Sequence, residues 1–368
     1  MTCVVELSEV VVIGAGQAGL SSAYFLRRFG FEPVVLDAAD GAGGAWRHRS
    51  PSLTMDKVHG VFDLPGLPQP AEGDGRRPAA EVVPAYYADY ERVTGLDVVR
   101  PVRVTAVRDD GAGERLVVAT DAGEWAVRAV VNATGTWTRP YWPYYPGAAG
   151  FAGRQLHYAG YRGPEEFAGR RVVVVGGGHS AMHVLSEVAG VAAATTWVTR
   201  RPPVFAEEEF SEEARREAVG LVEERVRAGL PPQSVVSVTG LRYNAVVREA
   251  LAKGALERLP MFDRVVADGA TWDGGGYVAA DTIVWATGFR SALDHLAPLR
   301  LREPGGGIRV DGTRVLREPR LQLVGYGPSA STIGANRAGR TAARNVRTLL
   351  TAAGIPDRPG AAPIPGAA

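Results

Sequence analysis

The sequence predicts an α/β fold built twice over, and three observations predict it. A run of β-branched residues ends in a glycine-rich turn at two places in the 368-residue chain. Each turn leads into a helical stretch and a second apolar strand. Each half then closes on a strand that ends in Ala-Thr-Gly, at Ala133-Thr134-Gly135 and again at Ala286-Thr287-Gly288. One order of elements, used twice at similar length, is a duplicated architecture.

In the first half, Val10–Ile13 is an uninterrupted apolar run, the pattern of a parallel strand buried on both faces. It enters Gly14-Ala15-Gly16-Gln17-Ala18-Gly19, and Leu20–Phe29 then reads as a helix. Val34, Val35 and Leu36 form the next strand, which ends at Asp37. A G-x-G-x-x-G turn between strand and helix, with an acid closing the second strand, marks a Rossmann-like, doubly wound, three-layer dinucleotide-binding domain. Each position has a physical reason. The first glycine permits the tight turn, the second lets a pyrophosphate approach the backbone, and the third lets helix pack on strand. Unpaired N–H groups at the helix N-terminus attract phosphate, and Asp37 can accept hydrogen bonds from an adenosine ribose.

In the second half, Val172–Val175 enters Gly176-Gly177-Gly178-His179-Ser180-Ala181, with a helix running to about Ala189. Ala181 stands where the third glycine would. The following strand, from Thr195, ends in Arg200-Arg201 where the first half has an acid. Arginine at that place can pair with the extra phosphate that distinguishes NADP from NAD. His179 and His183 share the i, i+4 spacing of metal ligands, but no third ligand accompanies them, so no metal is expected. His179 is instead expected to approach the pyrophosphate.

Between these motifs, residues 66–80 read as a surface excursion and 82–94 as a helix, with antiparallel strands over 97–107 and 114–131. Thr136–Pro146 is a proline-rigid aromatic connection. Phe210, Ala214, Ala218, Leu221, Val222 and Val226 lie at helical spacing within 206–229, with Ser211 as N-cap. After Gly288 the chain is expected to return to the first half and close it with a helix near 335–350. The first domain is therefore discontinuous, comprising 1–160 and 289–352; 161–288 form the second domain, and 353–368 a disordered tail.

Composition narrows the function. A net charge of +1 argues against nucleic acid as a partner, and no apolar stretch reaches the length of a membrane span. The single cysteine, Cys3, excludes an internal disulfide and a Cys-x-x-Cys redox pair. The N-terminus has acids and no positive region, so it reads as a strand and not a signal peptide, and a cytoplasmic location is expected. A homodimer is compatible with all of this.

With these motifs in place, the chain resembles the flavin-containing monooxygenases, which bind FAD and NADPH on one chain, over roughly residues 8–350. Gly14, Gly16, Gly19 and Asp37 match their FAD fingerprint, Gly43-Gly44-Ala45-Trp46 their G-G-x-W segment, and Phe151 to Tyr161 their F-x-G-x-x-x-H-x-x-x-[YF] linker. The run Thr332 to Arg340 is similar to that of compact bacterial members and plant auxin-forming enzymes.

The resemblance implies that Gly14, Gly16, Gln17, Ala18, Gly19, Asp37, Gly44, Trp46, Ala133, Thr134, Gly135, Gly334 and Arg337 hold FAD. It implies that Gly176, Gly178, His179, Ser180, Ala181, Arg200, Arg201, Ala286, Thr287 and Gly288 hold NADPH. His157 would serve the hinge between the cofactors. Asp56, His59 and Asn336 are the candidates beside the oxygenating centre. The implied activity is transfer of one oxygen atom of O2, from a flavin C4a-hydroperoxide, to nitrogen or sulfur of a small molecule. Tyr161, where the ketone-oxidising enzymes carry Trp, leans away from carbonyl oxidation. Three departures are visible: no Asn stands within Ser52–His59, Gly327-Pro328 replaces a Gly-Asp, and the chain is shorter than many members of the family. An FAD-dependent NADPH reductase without a cysteine relay is the alternative, and a non-enzymatic redox sensor a third reading.

Overall fold

A computed structural model describes residues 5–58, 61–70, 73, 75–206, 212–232, 240–330 and 332–355. The first half contains β1 (Val5–Ile13), α1 (Gln17–Arg28), β2 (Val34–Leu36), α2 (Ala79–Thr94), β3 (Val98–Val99), β4 (Val104–Asp109), β5 (Leu116–Thr120) and β6 (Glu124–Asn132). The second contains β7 (Arg154–His157), β8 (Arg171–Val175), α3 (His179–Val188), β9 (Ala194–Thr199), β10 (Phe205–Ala206), α4 (Glu212–Arg227), β11 (Leu241–Arg242), α5 (Ala245–Ala252), β12 (Arg258–Pro260), β13 (Arg264–Val266), β14 (Gly269–Thr271), β15 (Tyr277–Ala279) and β16 (Thr282–Trp285). The chain ends with β17 (Val310–Asp311), β18 (Arg314–Val315), β19 (Leu321–Leu323) and α6 (Thr332–Ala352).

Two sheets organise these elements. The first has the parallel order β19-β6-β1-β2-β3, extended by β17 and β18 beyond β19, with β5 antiparallel to β6 and β4 antiparallel to β5. The second is parallel throughout, in the order β12-β9-β8-β16-β7. The strand ahead of residue 161 therefore belongs to the second sheet: β7 pairs with β16, Leu156 opposite Val284. The segment after residue 288 returns to the first sheet through β19, which pairs with β6.

The uninterrupted valine runs are explained by the pleat, which sends alternate side chains to opposite faces. Val10 and Val12 pack with α1, α2 and α6, while Val11 and Ile13 pack with β4, β5 and the loops after Leu293. In the second half Val172 and Val174 face α3 and α5, and Val173 and Val175 face the β13–β15 meander. Each half is thus three layers, with helices on one face of the parallel sheet and antiparallel β-structure on the other. Burial of one such valine contributes about 1.5–3 kcal/mol.

The helices follow local rules. α2 stops at Gly95 in a left-handed C-cap, and the Asn244 side chain caps α5 by accepting the Val247 N–H at 3.0 Å. On α4, Val222 and Val226 are buried as expected from spacing, but Leu221 is half exposed, because at about 100° per residue it points well away from Val222 and Val226 around the helix. Phe210, the cap candidate Ser211, His59 and the tail from 356 lie outside the described residues. Among the described residues no helix is long and apolar enough to cross a membrane.

Candidate functional site

The first cradle forms where β1 gives way to α1. Gly14 has φ +99°, and a Cβ there would stand 2.7 Å from the Ala133 carbonyl oxygen, so only glycine lets the turn pass the end of β6. Its N–H donates to Leu36 O at 2.7 Å, which ties the turn to β2. A Cβ on Gly19 would overlap the Gly14 carbonyl, so α1 lies directly on the turn. Gly16 is different. It caps α1 in an extended conformation with no side-chain hydrogen bond, and a Cβ on it would meet nothing within 4 Å. The open N-terminus of α1 thus faces free space, with no acid in its first turn to repel an anion.

Other expected residues gather here. A Cβ on Gly44 would come within 2.9 Å of Gly16 Cα, so the 44–48 turn carrying Trp46 rests on the glycine loop. Ser21 Oγ donates to Asn336 O at 3.3 Å, setting the first turns of α1 and α6 side by side, with Gly334 and Arg337 flanking Asn336. Asp37 is buried and fixed, its oxygens taking the Ala39 N–H at 3.2 Å and Arg100 Nη2 at 3.3 Å. Arg100 itself grips Glu91 through two bonds of 2.6 and 2.8 Å. Sequence reasoning missed Arg100, because nothing in its spacing marks it as a partner of Asp37.

The second cradle repeats the geometry. Gly176 has φ +142°, a Cβ there would overlap the Ala286 carbonyl, and its N–H donates to Val198 O at 3.0 Å. Gly178 caps α3 without a side-chain bond and, like Gly16, opens onto free space. His179 and Ser180 open the helix, half-buried, while Ala181 is fully buried at the packing position. Two further residues hold this cradle. Trp197 Nε1 donates to Gly176 O at 2.7 Å, and Arg258 donates to Thr199 Oγ1 at 2.6 Å and to Thr199 O at 3.2 Å. Thr199 Oγ1 in turn donates to Arg201 O at 2.7 Å, so the turn bearing the exposed Arg200 and Arg201 is braced from below.

The two Ala-Thr-Gly segments meet at the crossings between halves. Thr134 Oγ1 donates to Ala292 O at 2.7 Å, and Thr287 Oγ1 donates to Tyr141 O at 2.5 Å: each threonine holds the strand that leaves the other half. The crossings pair through Tyr141 N–Gly288 O, Arg290 N–Arg139 O and Ala292 N–Gly135 O at 2.8–3.0 Å, and Trp137 stacks on Phe289. His157 is buried beside them. Its Nδ1 accepts the Ala159 N–H at 3.1 Å, so the proton resides on Nε2, which donates to Gly288 O at 3.0 Å. Burial lowers the His157 pKa, in keeping with a neutral ring.

The oxygenating-centre candidates fall into separate networks. Asp56 is exposed, accepts from Thr54 Oγ1, and its backbone N–H bonds to Gly75 O at 3.0 Å. Asn336 Nδ2 donates to Asp63 O at 2.6 Å, while its Oδ1 is buried with no hydrogen-bond partner. Such an orphaned acceptor beside the first cradle, together with the open Gly16 and Gly178, fits a site shaped for bound nucleotides. Two surface concavities of about 570 and 390 Å³, at Arg344–Ala352 and Leu293–Ile308, contain none of the expected residues.

A buried polar cluster, also missed, joins the halves. Glu187 accepts Ser52 Oγ and Tyr161 OH, each at 2.7 Å, and Lys57 Nζ at 3.2 Å, and lies 3.2 Å from His183 Nε2. Tyr158 OH is 3.1 Å from His183 Nδ1. Burial pushes the Glu187 pKa up, but His183 and the hydroxyls of Ser52 and Tyr161 outweigh it and hold the carboxyl down to about 2. The His183 ring whose spacing suggested a metal ligand instead faces the Glu187 carboxylate.

Two sheets, each with an uncapped helix opening beside its glycine turn, define the class: a protein with two dinucleotide-binding folds on one chain. Residues 11–245 match the pyridine nucleotide-disulphide oxidoreductase family. A flavin-containing monooxygenase from Stenotrophomonas maltophilia is 40% identical, with a TM-score of 0.80 over 94% of this chain and 99% of its own. An indole-3-pyruvate monooxygenase from Oryza sativa subsp. japonica is 33% identical over 52% of this chain, and the match spans about half of that plant enzyme, 47%. A ferredoxin–NADP reductase from Cupriavidus taiwanensis is 29% identical over 85% of this chain and 79% of its own length. The chain belongs to the pyridine nucleotide-disulphide oxidoreductases and, among them, to the flavin-containing monooxygenase family. It is an oxidoreductase with FAD and a pyridine nucleotide as cofactors.

Proposed function

We propose that the protein uses NADPH to reduce FAD and then inserts one oxygen atom of O2 into a nitrogen or sulfur centre of a small molecule. The observation that carries this reading is the pair of open helix N-termini at Gly16 and Gly178, in halves tied together at the crossings. FAD, when bound, supplies hydride acceptance and oxygen activation. The chain supplies the rest. Gly14, Gly16, Gln17, Ala18 and Gly19 would cradle the FAD pyrophosphate, with Asp37 on the ribose, Gly44 and Trp46 over the turn, Ala133 to Gly135 beneath it, and Gly334 and Arg337 alongside. Gly176, Gly178, His179, Ser180 and Ala181, with Ala286 to Gly288, would receive NADPH, and Arg200 and Arg201 its 2′-phosphate. The Asn336 Oδ1 atom is placed to accept a hydrogen bond from the cofactor. The Tyr161 hydroxyl is engaged by Glu187, so in this account that side chain bears on the fit of the halves and not on the substrate.

Support for oxygen transfer comes from the monooxygenases among the relatives. To test it, the FAD-loaded protein is supplied with NADPH and 18O2 alongside a panel of amines, sulfides and ketones. An amine or sulfide product carrying one labelled oxygen is expected. Stoichiometric peroxide with every compound, or a labelled ester from a ketone alone, would contradict it. The extended match to a ferredoxin–NADP reductase favours one second reading, electron transfer to a protein acceptor. Rapid anaerobic reduction of ferredoxin would support that reading instead.

A further inference from the structure

We propose that Glu187 sets the angle between the two halves and is a positioning residue for flavin reduction. The proposal rests on the reading that the nicotinamide nucleotide sits at the start of α3. Glu187 is on that helix, about 12 Å beyond its first residue at 1.5 Å per residue, so it is out of reach of the nucleotide's phosphates. Its carboxylate is instead held from three separate segments. Ser52 and Lys57 belong to the loop that follows the Gly44–His48 turn of the first half. Tyr161 belongs to the linker and His183 to α3 itself.

This arrangement is directional in a way that an apolar contact is not. A buried carboxylate is tolerated only while its partners surround it, and removing part of that shell leaves an uncompensated charge. Two of the partners travel with the first half and two with the second half and its linker. Rotation of one half would strip Ser52 and Lys57 from Glu187, so the cluster is satisfied in one orientation. Ser50 Oγ, 2.8 Å from Ser52 Oγ, fixes the hydroxyl on its own side, and Tyr158 fixes His183 on the other. The loop being gripped begins only a few residues after Trp46, next to the first cradle. Glu187 thereby governs how the end of α3 stands against the 52–57 loop, and the rate of hydride delivery depends on the angle between the halves more steeply than nucleotide affinity does.

The test uses the FAD-loaded protein with the variants Glu187→Ala, Ser52→Ala and Lys57→Met. Anaerobic stopped-flow reduction by NADPH separates the limiting rate from the nucleotide Kd, and hydrogen exchange of the apoprotein reports on the loop independently of activity. The expected result is a limiting rate lower by about tenfold or more in Glu187→Ala and about threefold or more in the other two, with Kd changed by less than about threefold. Exchange at residues 44–58 should quicken in all three apoproteins while α1 stays protected. Should Glu187→Ala fail to fold, Ser52→Ala and Lys57→Met carry the test alone. Limiting rates within about twofold of wild type in those two would overturn the proposal, as would a Kd that rises in step with the falling rate. A wild-type protein whose flavin NADPH cannot reduce would overturn the site reading, and the proposal with it.

Discussion

The ends of β2 and β9 occupy equivalent places in the two halves and are built in opposite ways. At β2, Asp37 is buried, and its carboxylate is already fixed by Arg100 and the Ala39 N–H before any ligand arrives. At β9, Arg200 and Arg201 are exposed, and what is fixed is the turn beneath them, through Thr199 and Arg258. On the proposed reading, the first arrangement suits a cofactor that stays and the second a co-substrate that comes and goes. A preset acceptor lowers the ordering cost of tight binding, whereas solvated cations attract a polyanion and release it readily.

The two halves should differ most in their response to a side chain at the second glycine of each turn. The backbone at Gly16 and Gly178 is extended, and a Cβ there would meet no protein atom within 4 Å, so with valine the fold should survive while the cradle fills. Gly16→Val is expected to purify without flavin, an affinity loss of about 100-fold or more, or about 3 kcal/mol. Gly178→Val should retain flavin that NADPH no longer reduces. Flavin absorbance per mole of folded protein, together with NADPH bleaching, checks both, and loss of flavin from both variants alike would erase the distinction between the halves.

A smaller effect sharpens the charge contrast. Replacing both Arg200 and Arg201 with Ala should weaken NADPH by about 30-fold, roughly 2 kcal/mol, and leave NADH within about twofold. Steady-state KM values for the two nucleotides measure this directly.

Acid should find the first half before the second. Burial, opposed by Asp294, holds the pKa of His295 down to about 4, and its Nε2 lies 2.6 Å from Asn132 Oδ1 at the end of β6. Because the folded pKa is depressed, this histidine's contribution is fully present above about pH 6.5 and is lost as pH falls towards 4. Glu187, also depressed, loses its contribution only below the ordinary carboxylate range, towards pH 2. Denaturant titrations at pH 7 and pH 4.5 should differ by about 2 kcal/mol more in wild type than in His295→Gln. Equal pH dependence would remove His295 from the account. A comparable loss of about 2 kcal/mol of stability, read by thermal unfolding, is expected of Trp197→Phe, which keeps an aromatic ring but removes the bond to Gly176 O and leaves a small buried cavity.

What the sequence made legible was local. Gly14, Gly19 and Gly176 are dictated by close approach and positive φ, and those demands leave glycines at fixed spacing beside a strand. The valine runs were equally readable, since a strand covered on both faces has no polar side. Arg100, Trp197, Arg258 and Glu187 were not readable, because each acts on a residue far away in sequence and a long-range pair leaves no period. His183 shows the ambiguity well: its spacing from His179 suggested a ligand pair, yet its partner is Glu187, one turn further along the same helix. Tyr161 ends the linker signature, but only the fold reveals that its hydroxyl is engaged. Boundaries were the weakest part, since β7 joins the second sheet through pairing with β16, which lies far downstream.

The most direct test of the central claim is a structure of the protein solved with FAD and NADP+ bound. The FAD pyrophosphate is expected over Gly16, the NADP+ pyrophosphate over Gly178 with its 2′-phosphate at Arg200 and Arg201, and the two ring systems meeting between the halves. A nicotinamide nucleotide bound away from α3, or FAD in the second cradle, would contradict it.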